Sequence, residues 1–310
     1  MKLVISGSVA FDRIMDFPGK FSDHILSDKL NNINVCFMIN TVKENFGGTA
    51  GNIAYTLSLL GETPILISQA GRDFEAYHYW LKSNNIPTEY IKIYRAELTA
   101  GAYITTDSSD NQITTFNPGA MKFPSTYDFD SLDPADTLAI IAPGNLDDML
   151  NFSRVYKQKG IKYIFDPGQS LPAWNGESLI EMITGAYIFI SNDYELNLTM
   201  EKTSKTLADL LTLCKTVITT KGEHGSSIHT LKDGSVNTEE IPIVKADKLS
   251  DPTGAGDAYR GGLLKGLAAD INYLKVACDM GAAAASFCVE ASGPQNFKFT
   301  QEEFNKRFQK

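Results

Sequence analysis

Little in this chain points to metal clusters, disulfides, nucleic acid or a membrane. The four cysteines, Cys36, Cys214, Cys278 and Cys288, form no CxxC pair and no spacing that gathers metal ligands locally, so they read as reduced, mostly buried thiols. No Lys/Arg-rich block is present, and a formal net charge of −9 repels a phosphate backbone, so no nucleic-acid partner is expected. No apolar run reaches the roughly eighteen residues of a membrane span, so no membrane partner is expected either. The opening MKLVISGSVAF is interrupted by Ser6, Gly7 and Asp12 before a signal-peptide core is complete, and it reads as a first buried strand of a cytoplasmic protein. There is no Pro/Gly/Ser-rich linker, low-complexity tract or internal repeat, which argues against a second independent domain. No strand is followed by G-x-G-x-x-G with an acidic residue about twenty positions on, and no glycine run ends in GK[ST]; a dinucleotide-dependent dehydrogenase and a P-loop enzyme are both set aside.

What remains is an ordinary globular composition: 310 residues with 43% hydrophobic and 21% charged, enough to bury a substantial core as one domain spanning residues 1–310. Short apolar runs recur at residues 3–6, 65–68, 138–142, 163–165, 187–191 and 217–220. Helical patterns lie between or after them at 52–60, 76–84, 146–159, 178–184, 206–214, 256–269 and 273–289. That alternation predicts an α/β fold, a doubly wound, mostly parallel sheet with helices on both faces. Two segments break the rhythm, about 14–45 and 98–117, whose Val/Ile/Thr/Tyr/Phe content predicts antiparallel strands forming a small β lid over the ligand cleft. Within the second, AGAYITTDSSDNQITTF reads as a hairpin turning at Ser109, Asp110 and Asn111.

The densest chemical signal is Asp251-Pro-Thr-Gly254-Ala255-Gly256-Asp257-Ala-Tyr-Arg-Gly-Gly262, a small-residue turn opening a helix. The unsatisfied N–H groups of such a helix start, with the positive end of its dipole, form a cradle for phosphate oxygens. A carboxylate at Asp257 then stands in the first turn beside a transferring phosphoryl group, placed to accept the proton of an attacking hydroxyl. Phe46-Gly-Gly48-Thr-Ala-Gly51-Asn52 is a second glycine turn before a helix, where glycines let the backbone approach a substrate closely. Asp12 is expected at the end of the first strand, where an open α/β sheet has its cleft, with a carboxylate able to accept from two adjacent hydroxyls. Asn192 and Glu195 follow another apolar run and share one helical face, either as oxygen ligands or as a helix cap with its first-turn partner. Thr220-Lys221-Gly222-Glu-His224-Gly225 closes a further strand.

The Asp251–Gly262 segment matches the signature D-[PST]-x-G-A-G-D-x-[FY]-x-G-G, and the chain resembles the PfkB/ribokinase-like small-molecule kinases over nearly its whole length. It looks closest to the archaeal and bacterial nucleoside kinases of that family, through Asn111–Met121 and Phe165–Pro172. The resemblance implies a ribokinase-like fold with residues 254–257 as anion hole and Asp257 as base. It further implies Gly48 and Asn52 on acceptor hydroxyls, and Asp12 on a sugar diol. Asn192 and Glu195 would help hold Mg²⁺ through water and the nucleotide phosphates, with Thr220, Lys221, Gly222 and Gly225 as the ATP loop and no role for His224. The helix residues 281–286 would flank adenine. K⁺ near Asp251 and the 290–296 loop is a further expectation without assigned ligands. Phe17, Phe37 and Phe116 are candidate walls for a base, or lid core, and Gln169 offers a donor and an acceptor to a base edge. The expected activity is phosphorylation of the 5′-hydroxyl of adenosine, inosine, guanosine or cytidine by ATP. The rival readings are a sugar kinase of ribokinase or fructokinase type, and a catalytically silent ligand-binding relative on the same fold. A homodimer is favoured over a monomer.

Overall fold

In the structure, a computed structural model that describes residues 1–25, 31 and 34–309, the apolar runs become the centre of one large sheet. The strands are β1 (Lys2–Ser6), β4 (Ile65–Gly71), β5 (Ile91–Tyr94), β8 (Thr137–Ile141), β9 (Lys162–Phe165), β10 (Ile188–Asn192), β11 (Val217–Thr220), β12 (Ser226–Lys232) and β13 (Ser235–Ile241). They lie in the order β13-β12-β11-β10-β9-β8-β1-β4-β5. All neighbours from β11 through to β5 pair in parallel, and only β12 and β13 add antiparallel ladders at one edge.

The runs are continuous because both faces are covered. In β1, Leu3 and Ile5 enter one core cluster and Val4 the other; Leu138 and Ile140 oppose Ala139 and Ile141 in β8. One face carries α1 (Thr49–Leu59), α2 (Glu75–Ser83), α7 (Ala255–Ala269), α8 (Leu274–Cys288) and α9 (Gln301–Phe308), and the other carries α3 (Leu146–Lys159), α4 (Gly176–Ile183) and α6 (Leu207–Leu213). The remaining helix, α5 (Asp193–Thr203), follows β10. The last two glycines of the Asp251–Gly262 segment serve this packing. A Cβ on Gly261 would lie 2.6 Å from Thr56 Cβ on α1, and one on Gly262 would lie 2.4 Å from the Met280 carbonyl on α8.

A second, four-stranded sheet of β2 (Ala10–Asp16), β3 (Thr41–Gly47), β6 (Ala100–Thr106) and β7 (Gln112–Asn117) runs in the order β3-β2-β6-β7. The expected hairpin is present, β6 against β7, with Asp110 at φ 60° and Asp107 Oδ1 accepting from the amides of Ser109 and Asn111 at 2.9 Å. Two expectations are corrected. Asp12 lies within β2 of the small sheet, since β1 already ends at Ser6 and Gly7 and Ser8 carry the chain from one sheet to the other. The small sheet is also not purely antiparallel, because β2 and β6 pair in parallel. The middle of the 14–45 segment, at 26–30, 32 and 33, lies outside the described residues. Cys214, Cys278 and Cys288 are buried as expected, and Cys36 is exposed. No described helix is long and apolar enough to cross a membrane.

Candidate active site

The sheet topology collects the motifs. Pro143 follows β8, Asp166 to Gln169 follow β9, Asn192 ends β10 and Thr220 ends β11, so all stand at the carboxyl ends of parallel strands. Together with Thr49, Glu195, Gly254, Gly256, Asp257 and Arg260 they line a polar cleft of about 200 Å³. Thr220 and Gly256 also line an adjoining apolar cavity of about 480 Å³ walled by Ile243, Val244, Tyr259, Ala282, Ala285 and Val289, with Gly222 and Gly225 at its edge.

Helix α7 is entered through Gly254, whose φ of +83° and closeness to Pro294, 2.4 Å from a built Cβ, admit only glycine without strain. The amide of Ala255 closes the turn onto the Pro252 carbonyl at 3.1 Å. Those of Gly254, Gly256 and Asp257 take no partner among the described residues and remain as free donors at a helix start, where an anion could be received. Asp257 Oδ2 accepts from Asn52 Nδ2 at 2.8 Å. Burial pushes the Asp257 carboxyl up to about 6, against the opposing pull of Arg260 and the Asn52 hydrogen bond, with Asp166 and Asp12 pushing further up.

Two residues without an assigned role complete the charge pattern. The Arg260 guanidinium donates from Nη2 to Asp166 Oδ1 at 2.8 Å and from Nη1 to the Gly256 carbonyl at 2.9 Å, and its Nε is ion-paired with the same carboxylate. Both side chains are buried, 6% and 2% exposed, which makes this a fixed, buried ion pair in the cleft wall rather than a surface pair. An arginine three positions past Asp257, in an otherwise small and apolar helix, was the available signal for it.

Asn192 and Glu195 form the helix cap. Asn192 Oδ1 accepts from the Glu195 amide at 2.7 Å, and Glu195 Oε2 accepts from the Asn192 amide at 2.9 Å. Burial raises the Glu195 carboxyl, and its Oε1 takes no hydrogen bond among the described residues. Among those residues no group of three or more His, Cys, Asp or Glu could hold a metal, so a divalent ion here needs water and phosphate oxygens to complete its shell. Lys221 is ion-paired with Glu240 on β13, and His224 is exposed. Asp251 accepts from the amides of Thr253 and Gly293, each at 2.9 Å. Gln169 is exposed and lines the polar cleft beside Asn192 and Glu195.

On the small sheet, Asn45, Asp12, Ala102 and Phe116 are directly paired across β3, β2, β6 and β7, and share one face. Burial pushes the Asp12 carboxyl up to about 6. It lies against Gly47, where a Cβ would come 2.5 Å from Oδ2. Gly48 has φ +85° and a built Cβ 2.6 Å from the backbone of Ser8 and Ala10. Phe116 is 49% exposed two strands away, whereas Phe17 and Phe37 pack on each other and on Phe21 with centroids 4.9–5.8 Å apart.

Comparison with known proteins follows the same residues. Residues 26–301 match the pfkB family carbohydrate kinase description. The chain belongs to that family. This pfkB kinase is therefore a phosphotransferase, and two archaeal nucleoside kinases match it over 93% and 99% of its length. The nucleoside kinase of Methanocaldococcus jannaschii is 34% identical over 295 residues, 93% of this chain and 94% of that one. Its solved structure, described as an archaeal member of the ribokinase family, has a TM-score of 0.86 at 32% identity, covering 100% of this chain and 98% of that chain. The nucleoside kinase of Burkholderia thailandensis in complex with inosine gives 0.83 at 36% identity, covering 99% and 97%. The same kinase in complex with ADP-inosine gives 0.80 at 36% identity over 99% and 95%. The fold is ribokinase-like.

Proposed function

We propose that this pfkB kinase transfers the γ-phosphoryl group of ATP to the 5′-hydroxyl of a ribonucleoside, with Asp257 as general base. One observation carries the reading: Asp257 stands in the first turn of α7, among free amides and beside Arg260, with Asp12 on the small sheet near enough to push its carboxyl further up. A nucleoside acceptor is supported by the nucleoside kinases that match this chain end to end, and by the inosine bound to one of them. Asp12 and Phe116 share a face two inter-strand steps apart, about 10 Å, which suits a ribose diol at one and a base at the other. Adenine would occupy the apolar cavity between the 243–249 segment and α8, and the phosphates the polar cleft.

In the proposed reaction the acceptor oxygen bonds to the γ-phosphorus, the bond from that phosphorus to the bridging oxygen breaks, ADP leaves, and the hydroxyl proton passes to Asp257. The amides of Gly254, Gly256 and Asp257 and the Arg260 guanidinium hold the transferring group's charge. Glu195 Oε1 and the phosphates would hold Mg²⁺ through water, where the ion supplies further neutralisation of the phosphate oxygens. The small sheet acts as a lid, excluding water that would otherwise take the phosphoryl group.

The test is ADP release with ATP and Mg²⁺ across adenosine, inosine, guanosine, cytidine, ribose and fructose, with each product identified by mass and ³¹P NMR. Turnover on nucleosides giving the 5′-phosphate, with silence on free sugars, is expected. Turnover on ribose or fructose alone overturns the acceptor class.

A further inference from the structure

Gln295 lies beyond α8 in the 290–296 loop, has no role assigned to it above, and is 2% exposed. Its Oε1 accepts from Trp80 Nε1 at 2.9 Å, and its Nε2 donates both to Asn52 Oδ1 at 2.9 Å and to the Tyr77 hydroxyl at 2.6 Å. Tyr77 passes its own proton to the Gly47 carbonyl at 2.7 Å, and Asn52 Nδ2 donates to Asp257 Oδ2 at 2.8 Å. Gly51 leaves room for the arrangement, since a Cβ there would lie 2.1 Å from the Tyr77 hydroxyl and 3.3 Å from Gln295 Nε2.

The direction of this chain follows from chemistry. An indole N–H can only donate, so it must meet the oxygen of the Gln295 amide. Gln295 therefore presents its NH₂ to Asn52, which must meet it with oxygen, and the Asn52 NH₂ is left for Asp257. Reversing either amide would bring donor to donor or acceptor to acceptor, with Gln295 and Asn52 themselves buried.

We infer that Gln295, itself oriented by Trp80, is a positioning residue for phosphoryl transfer: it fixes the Asn52 amide with its NH₂ toward Asp257. One carboxylate oxygen is thereby occupied and the other left for the acceptor hydroxyl. The inference rests on Asp257 as the base. The charged and titratable groups around Asp257 are Arg260 on its own helix, Asp166 after β9, Asp12 on β2, Tyr77 on α2 and Cys288 on α8. Of these, Tyr77 alone bonds to Gln295 among the described residues.

Two variants test it. Gln295→Glu still accepts from Trp80 but offers Asn52 only an acceptor, which turns the Asn52 oxygen toward Asp257. Trp80→Phe keeps a ring in place, adds no charge, and removes the donor that orients Gln295. In kcat/KM measured from pH 5 to 9, the acidic limb should move up by about one pH unit in Gln295→Glu, a roughly fivefold loss at pH 6 that grows toward tenfold at pH 5 and recovers by pH 8 to 9. Trp80→Phe should move it in the same direction by less, with KM for ATP within about twofold in both. A loss of equal size at every pH in both variants, or a lowered melting temperature with an unmoved limb, overturns the inference; Trp80→Phe alone decides if Gln295→Glu does not fold. Asp257→Asn run alongside separates the two levels. If it turns over normally, the base assignment falls and this inference with it; if it is silent while the limbs stay put, only the role of Gln295 falls.

Discussion

Two carboxyls, Asp12 and Asp257, sit near 6 because burial disfavours their charged forms. Each is raised from 3.8, so between about pH 4 and 6 the folded chain binds more protons than the unfolded one. Their contribution to stability is therefore fully present below pH 4 and is lost as pH rises through 6. Asp257→Asn removes the cost of the buried charge, and should raise the melting temperature at pH 7.5 by roughly 2–4 °C, with only about a third of that gain at pH 4.5. An equal gain at both pH values would contradict the burial account. Asp12→Asn should act on the acceptor, raising its KM by about tenfold or more while KM for ATP stays within about twofold; equal loss on both substrates would take Asp12 out of the acceptor site. Asn52 and Asp257 could be singled out because each follows a glycine-marked turn, whereas Asp12 was read as a strand-end carboxylate and lies within β2. Arg260, Asp166 and Gln295 acquire their places only through contacts 94 to 243 residues apart, which no local pattern carries.

The elements were read nearly as they stand where periodicity was strong. The helix at 146–159 coincides with α3, and the others listed from the apolar pattern differ at their ends by three residues or fewer. Helices α5 and α9 lacked a clear apolar stripe; α9 buries only Phe304, and α5 announced itself only through its cap. The parallel pairing of β2 with β6 was not legible either, since it depends on two distant excursions leaving the main sheet side by side. The most specific packing claim concerns α7 against α8. Gly262→Ala drives a Cβ toward the Met280 carbonyl, a backbone atom that cannot rotate away, and should cost about 1–3 kcal/mol in urea unfolding despite alanine's better helix propensity. An unchanged midpoint would show that the two helices can separate freely.

For the whole molecule, the doubly wound sheet sets four strand ends around one cleft, and the glycine turns before α1 and α7 bring Asn52 and Asp257 together beside it. The family and the ribokinase-like fold were legible in the sequence because the Asp251–Gly262 signature constrains nine of its twelve positions at once. Which aromatics stay open was not, because Phe17 and Phe37 pack on each other within their own segment while Phe116 is exposed on the small sheet. The central claim is that Asp257 takes the acceptor's proton. Single-turnover transfer from γ-labelled ATP, with ATP binding measured on the same Asp257→Asn preparation, tests it most directly. The account expects affinity within about twofold and a transfer rate lowered by about 10²–10⁴; near-normal transfer with intact binding would contradict it.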